Sequence, residues 1–572
     1  MPKPAFDLLA GRTRREPVLL ELDLSRGLLE TGPAEPVAAL RSRGVPTLRG
    51  VVSRLREAAT DSHVVGLVAH LGSEELSPAQ ADELGEAVEA FAATGRPTAA
   101  FAETFGELAG GTVSYRLAVS FDTVWMQPSG QLGLTGVALR AVFVRGLLDR
   151  LGVQPQVGQR HEYKNAADQL LRETMSEPQR ESLQRLADSV LEAVVAVTAR
   201  RRGRSLAQVR EAVDAAPLGA QQAVEAGLVD RLGYRDEVYA DLRERVAGRG
   251  PLTLRYVHRW APSGARAAVQ RARRRRQPVV AVVSVLGGIG LGRSGSSPVG
   301  GLRAGSASVT AALRAAGRRD DVRAVVLRVV SPGGSYVASD AVHREVQRLR
   351  GTGRPVIASM GTVAASGGYF VAMPCDEVVA APTTVTGSIG VLGGKLAVGT
   401  ALARAGIGVE PVGAGAQATM FGPEAPFDDA QWTRVQRWLD EVYDDFTRKA
   451  AADRGMPHGD LEPLARGRVW TGADALERGL VDRLGGLRTA VDRAARRSGL
   501  DSDTVRVVAL PRVGPLDRLR PAQSSDAAAA ALTLGWWSAG AGSVEQALAT
   551  LWRSAGAPVD GVLSLPGPWR VT

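Results

Sequence analysis

Two short stretches in the second half of the chain hold the residue types that acyl transfer needs. The first is Ser331-Pro332-Gly333-Gly334-Ser335, directly after the β-branched run Ala324–Val330. Paired glycines at a strand end leave backbone N–H groups free to face a cleft, which a developing oxyanion requires. The second is Thr362-Val363-Ala364-Ala365-Ser366-Gly367-Gly368-Tyr369, directly after VIASM. A serine among small residues on a strand-to-helix turn is open to a substrate carbonyl, and the helix N-terminus behind it favours negative charge. Singly, such serines and glycines are ordinary turn and cap residues. On consecutive strands they form a far more specific pattern.

A serine nucleophile needs a base. Lysine occurs only at positions 3, 164, 395 and 449, and every other cationic residue is arginine. Arginine substitutes for lysine on a solvated surface but not where the group must lose its proton. Lys164, in GQRHEYKNAADQ, therefore stands out, although its polar neighbours also suit a surface lysine.

The chain is written twice, with a period of about 250 residues. GRPTAAFAETFGELAGGTVSYRLAVS resembles GRPVIASMGTVAASGGYFVAMP, and AVEAGLVDRLG resembles ALERGLVDRLG. Aligning Tyr115 with Tyr369 and Gly136 with Gly390 puts Thr112 opposite Ser366 and Leu134 opposite Ser388. Ser73-Glu74-Glu75-Leu76 stands opposite Ser331-Pro332-Gly333-Gly334, and aligning Gly152-Val153 with Gly408-Val409 puts Lys164 opposite Met420. The first copy lacks the serine and the glycine turn, and the second lacks the lysine. A single site assembled from both halves is expected.

Helical stretches such as Val309–Ala316 alternate with β-branched runs such as Ala324–Val330 and Pro355–Met360, the order of parallel βαβ units. The expected organisation is an α/β fold of tandem duplicated domains with mainly parallel sheets and flanking helices. Residues 1–248 form the first copy, 249–277 a basic linker containing Arg273–Arg276, 278–500 the second copy, and 501–572 a C-terminal appendage.

Composition narrows the function classes. Hydrophobic residues are 45% and charged residues 23%, which is globular and excludes wholesale disorder. The single cysteine, Cys375, excludes an internal disulfide and a cysteine-based zinc cluster, and reads as a small buried residue. The net charge of +10 rests on an arginine bias across the chain and does not argue for nucleic acid. Histidines at 63, 70, 161, 258, 343 and 458 show no metal-ligand spacing, and His343 reads as a helix-surface residue. Without a histidine in a loop beside a matched acid, a Ser–His–Asp triad is disfavoured. The glycine-rich segments lack the complete dinucleotide or P-loop pattern, so no cofactor is expected.

Taken together, SPGGS, MGTVAASGGY, TGSIGV and EYKNA make residues 45–500 resemble the long, duplicated form of the bacterial signal peptide peptidase A family, serine proteases with a Clp/crotonase-like fold. The resemblance implies Ser366 as nucleophile, Lys164 as general base and Ser388 as the residue that orients the lysine. Gly333 and Gly334 match the family's oxyanion turn, with Gly367 beside the nucleophile assigned to the same role. It also implies unfolded apolar peptides, remnant signal peptides among them, as substrates, and a homo-oligomer, expected to be a tetramer. The sequence departs from the family at Val330, Asn165 and Asp168-Gln169-Leu170, and shows no N-terminal membrane anchor.

Two other classes share parts of this pattern. A crotonase-like acyl-CoA enzyme would use the same oxyanion turn, and a non-catalytic scaffold would leave Ser366 and Lys164 far apart. Tyr369, Phe370, Val391 and Leu392 suit either a substrate pocket or the core. No apolar run is long enough to span a bilayer and no signal peptide is seen, so a cytoplasmic protein is expected. Peripheral membrane contact would come from the arginines at 271–276 or from Ala528–Ala539 with Trp536 and Trp537.

Overall fold

The valine-rich run Val279–Leu286 is buried along almost its whole length. That pattern belongs to a parallel strand covered on both faces. In the computed structural model, which describes residues 16–32, 44–72, 76–246, 252–262, 277–297, 301–511 and 563–564, this strand lies inside the second of two large sheets. Six of its eight strands run parallel in the order Arg483–Leu484, Glu377–Ala380, Val356–Ala365, Val322–Ser331, Val279–Leu286 and Arg506–Leu510; Val385–Gly387 pairs parallel with Val356–Ala365, and Val469–Thr471 pairs antiparallel with Val385–Gly387. The first sheet has the same order and sense: Arg231–Leu232, Thr123–Met126, Thr98–Ala102, Val64–His70, Val18–Asp23 and Thr253–Tyr256. Two tyrosines mark the repeat: Tyr115 Oη donates to Leu228 O at 2.7 Å, and Tyr369 Oη donates to Leu480 O at 3.0 Å.

Amphipathic helices cover the sheets. Ser306–Gly317 and Tyr336–Arg350 bury Val309, Leu313, Val342 and Val346 in the core of the second half. Pro78–Ala92 starts with a proline in its first turn and a Ser77–Gln80 capping box, both favourable where N–H groups lack helical partners.

Both sheets extend past the boundaries expected from sequence. Thr253–Tyr256, within the expected linker 249–277, pairs with Val18–Asp23, and Arg506–Leu510, within the expected appendage 501–572, pairs with Val279–Leu286. Each closes the edge of its sheet with a short strand that periodicity alone does not separate from a linker. Ser73–Glu75, the arginines at 271–276 and Ala528–Ala539 with Trp536 and Trp537 lie outside the described residues.

Among the contacts that join the halves, three sets are prominent. Gln154–Gln159 of the first half pairs antiparallel with Leu392–Ala397 of the second, from Gln154↔Ala397 to Gln159↔Leu392. The acidic face of Pro78–Ala92 meets the second half. There Glu83 accepts from Leu487 N at 2.8 Å, Glu86 from Gly486 N at 2.7 Å and Asp82 from Thr383 Oγ1 at 2.7 Å. Arg185 grips Asp474 with two nitrogens, the shorter contact at 2.7 Å.

Candidate active site

Ser366 sits where the strand Val356–Ala365 turns into the helix Gly367–Ala372. Its backbone has φ 55° and ψ −115°, a conformation that costs a non-glycine residue energy and persists only where its surroundings hold it. They do so here: Ser366 N donates to Gly387 O at 2.8 Å, and Ser366 O accepts from Phe370 N at 2.9 Å. Ser388 follows the adjacent parallel strand Val385–Gly387, whose Gly387 pairs with Ala365, so the two serines emerge side by side. Ser388 also has positive φ, 50°, and its N–H donates to Arg468 O at 2.7 Å.

The glycines explain how the second motif reaches the first. A Cβ on Gly367 would lie 3.1 Å from both Gly333 Cα and Gly334 N, and one on Gly368 would lie 2.5 Å from Ser331 O. Gly334 has φ +149°, and a Cβ there would sit 2.1 Å from Ile289 O. The SPGG turn is thus laid against the start of the serine helix, with Gly334 N beside Gly367. Gly333 N–H is already engaged, donating to Ser331 Oγ at 3.1 Å. The strand Leu563–Ser564 runs antiparallel along this turn, pairing Gly333 with Ser564 and Gly334 with Leu563.

Lys164 is delivered by the Gln154–Gln159 strand. Arg160 continues the ladder, its N–H donating to Val391 O at 3.0 Å, while its guanidinium donates to Gln436 Oε1 at 2.7 Å and pairs with Asp440. Room for the lysine comes from two glycines. A Cβ on Gly467 would lie 2.4 Å from Lys164 N, and one on Gly390 would lie 3.2 Å from Lys164 Cδ. Lys164 Nζ reaches Ser366 Oγ at 2.8 Å, Ser388 Oγ at 2.9 Å and Ser388 O at 3.1 Å. These partners are hydroxyls and a carbonyl, and the side chain is only 1% exposed. Burial without a carboxylate beside it lowers the lysine pKa to about 7. A neutral amine held this way can take the Ser366 proton, while the Ser388 oxygens receive its remaining N–H groups.

The first half has no such constellation. Thr112 Oγ1 is spent on Gly136 O at 2.8 Å, and Leu134 is buried where the second half has Ser388. One pairing differs from the sequence alignment. Val144 N bonds Gln169 O as Val398 N bonds Pro423 O, and Val153 N bonds Leu148 O as Ile407 N bonds Leu402 O, both at an offset of 254 residues. Equal spacing at both ends makes Ala418, not Met420, the counterpart of Lys164. The GVQP/GVEP similarity had shifted the register by two residues.

One further reading is corrected, and one left open between pocket and core falls to the core. His343 is not a surface residue: it is buried, its Nε2 is 2.6 Å from Asp453 Oδ2, and its ring lies against Phe370. This matched acid is on another helix and was invisible in local sequence. Tyr369, Phe370, Val391 and Leu392 are buried, and the first three belong to the main core of the second half.

Sequence reasoning also missed two features near the site. Arg328, in the strand that leads to Ser331, is buried between Glu83 and Glu30, with 2.7 Å contacts to both. Burial, opposed by Arg328 but reinforced by Glu30, pushes Glu83 up to about 7. An arginine inside the apolar run AVVLRVV was the available signal. A small pocket beside Lys164 and Ser388 is lined by Asn165, Gln179 and Ser182, whose Nδ2, Oε1 and Oγ are buried without a protein partner.

Fold and site together describe two α/β halves that share one Ser–Lys pair. The chain belongs to peptidase family S49, whose profile matches residues 91–248 and again 348–501, more than half of the chain. It is 29% identical over 445 residues to the chloroplastic serine protease SPPA of Arabidopsis thaliana, a match covering 78% of this chain and 64% of that one, just short of two thirds. It is likewise 29% identical over 471 residues to Protease 4 of Salmonella typhi, covering 79% of this chain and 72% of the relative. A putative signal peptide peptidase SppA of Enterococcus faecium is 31% identical over 184 residues, 32% of this chain and 54% of that one.

Proposed function

We propose that the chain is a serine endopeptidase in which Lys164 of the first half activates Ser366 of the second. The observation that carries this reading is the 2.8 Å contact between Lys164 Nζ and Ser366 Oγ in a buried setting without a carboxylate. Neutral Nζ takes the Oγ proton as Oγ attacks a peptide carbonyl. The resulting ammonium then protonates the leaving amine, and the acyl-enzyme is hydrolysed by water activated at the same nitrogen. Ser388 orients the amine. Backbone N–H groups of the glycine turn and of Gly367 face the developing oxyanion, Gly334 being the better placed of the turn pair because Gly333 N–H already has a partner.

The substrate reading is an unfolded, apolar peptide, remnant signal peptides included. The pairing of Leu563–Ser564 with Gly333–Gly334 supports an extended peptide lying along that turn as an added strand. The name of the Enterococcus relative supports the substrate class. The test is cleavage of an apolar peptide free in solution and embedded in a folded carrier. Cleavage of the free peptide alone, abolished in Ser366→Ala, is the expected result, and equal cleavage of the folded carrier would contradict it.

We place the protein in the cytoplasm with, at most, reversible membrane contact. No helix among the described residues is long and apolar enough to cross a membrane, and the buried thiol of Cys375 suits a reducing compartment. Recovery in the membrane fraction after a high-salt wash would contradict this. The protein is also taken to be a homo-oligomer, with a tetramer expected.

A further inference from the structure

Next to the reactive pair lies a set of polar groups that the pair itself does not use. Lys164, Asn165, Gln179, Ser182 and Ser388 line one small pocket. Gln179 and Ser182 come from the first-half helix Glu177–Arg202, about one turn apart on a single face. That helix runs on along the second half: Ser189 Oγ meets Thr471 Oγ1 at 2.6 Å, and Arg185 pairs with Asp474. Asn165 follows the lysine directly.

Asn165, Gln179 and Ser182 are 8%, 1% and 3% exposed. Asn165 Nδ2, Gln179 Oε1 and Ser182 Oγ are buried without a protein partner. Buried polar atoms are almost always hydrogen-bonded, and three lining one pocket point to a shared partner. The set is a donor, an acceptor and a hydroxyl that can be either. The pocket is the size of one water, the ligand that this mixed set fits.

A fourth group completes the set. Ser388 Oγ accepts from Lys164 Nζ at 2.9 Å, and among the described residues its own hydrogen has no acceptor. That hydrogen can point into the pocket or onto the lone pair of neutral Nζ, where it would displace the Ser366 hydroxyl.

We propose that a single buried water, held by Asn165, Gln179 and Ser182, takes the hydrogen bond of the Ser388 hydroxyl and so keeps the lysine lone pair turned to Ser366. The proposal rests on the Ser366–Lys164 reading and adds Gln179 and Ser182 to it as positioning residues. The hydrogen bonds balance. The water accepts from Asn165 Nδ2 and Ser388 Oγ and donates to Gln179 Oε1 and Ser182 Oγ. Neutral Nζ donates to Ser388 Oγ and Ser388 O and accepts from Ser366 Oγ. Once Nζ holds the Ser366 proton, the ammonium keeps both bonds to Ser388, and the water polarises Ser388 Oγ into a better acceptor. The water therefore supports the charged lysine that forms as Ser366 is acylated.

The charged groups around the pocket are engaged with one another. Glu181 accepts from Tyr163 Oη and pairs with Arg468, Asp168 accepts from Ser176 Oγ and pairs with Arg172, and Arg466 pairs with Glu162 and Glu462. Burial is what lowers the Lys164 pKa, so its titration responds to a change in the pocket.

The test compares full-length wild type with Gln179→Met, which keeps the length of the side chain and removes the acceptor, with folding checked by circular dichroism. On a soluble apolar peptide the variant is expected to lose about tenfold in kcat, the scale of a hydrogen bond to a charged group. The midpoint of its kcat/KM profile should move to lower pH, because the charged lysine loses support. A crystal structure of the wild type should show a water within hydrogen-bond distance of Asn165 Nδ2, Gln179 Oε1 and Ser182 Oγ. Wild-type kcat in Gln179→Met, a midpoint that stays or rises, or a crystal structure without that water would each overturn the proposal and leave the Ser–Lys pair standing. Cleavage by Ser366→Ala would instead overturn the pair, and the role of the water with it.

Discussion

Lys164 Nζ and Ser366 Oγ are 2.8 Å apart although 202 residues separate them in the chain. Neither half contains both groups. The antiparallel joint from Gln154↔Ala397 to Gln159↔Leu392 carries the lysine across, and Gly390 and Gly467 leave the space it fills. Duplication followed by complementary loss leaves a site that exists only while this joint holds.

The lysine must be neutral to accept a proton, and its pKa is lowered to about 7. Peptide hydrolysis, read as kcat/KM, should therefore fall about tenfold per pH unit below 7 and level off above it. A profile that still climbs steeply between pH 8 and 10 would show that Lys164 retains an ordinary lysine pKa.

The same burial carries a stability cost. Folded Lys164 titrates near 7 and the unfolded side chain near 10.5, so between these values the folded state binds fewer protons and stability rises with pH. Below pH 7 the full penalty of a buried charge applies. Lys164→Met should accordingly raise Tm, most at pH 6 and least near pH 10. A gain in Tm that is independent of pH would contradict this account.

Gly367 lies against the oxyanion turn, and an added Cβ would stand 3.1 Å from Gly334 N. Gly367→Ala should lower kcat by about 10²-fold, the scale for losing one oxyanion donor, while the far-ultraviolet circular dichroism stays unchanged. Wild-type turnover in this variant would remove Gly334 N–H from the mechanism.

Arg328 is buried between Glu83 and Glu30 of the first half. Arg328→Met leaves the buried Glu83 and the half-buried Glu30 without their cation and should cost about 3–5 kcal/mol in denaturant unfolding. Adding Glu83→Leu should restore a large part of that loss, because the uncompensated group is then gone. Additive losses in the double variant would mean that the two residues are not coupled.

Much of this site was legible before any coordinates. The glycine turn, the open serine and the scarce lysine are local signals, and the duplication showed that the two halves lack different parts. What escaped was set by long-range packing. Asp453 meets His343 across two helices, and Glu83 meets Arg328 across the joint. Neither acid stands near its partner in sequence. The Met420 assignment failed because a short repeated motif outweighed equal spacing at the flanks. Thr253–Tyr256 and Arg506–Leu510 are too short for periodicity to distinguish them from a linker or tail.

Acylation of Ser366 bears most directly on the pair. Wild type, Lys164→Arg and Ser366→Ala chains would be incubated at pH 8 with an activated ester of an apolar peptide, quenched in acid and analysed by peptide mass spectrometry. The predicted result is an acyl adduct on the wild-type peptide that contains Ser366, and none on either variant, since arginine keeps the charge but cannot give up the proton. An adduct on another residue, or acylation of Lys164→Arg at the wild-type rate, would contradict a shared Ser366–Lys164 site.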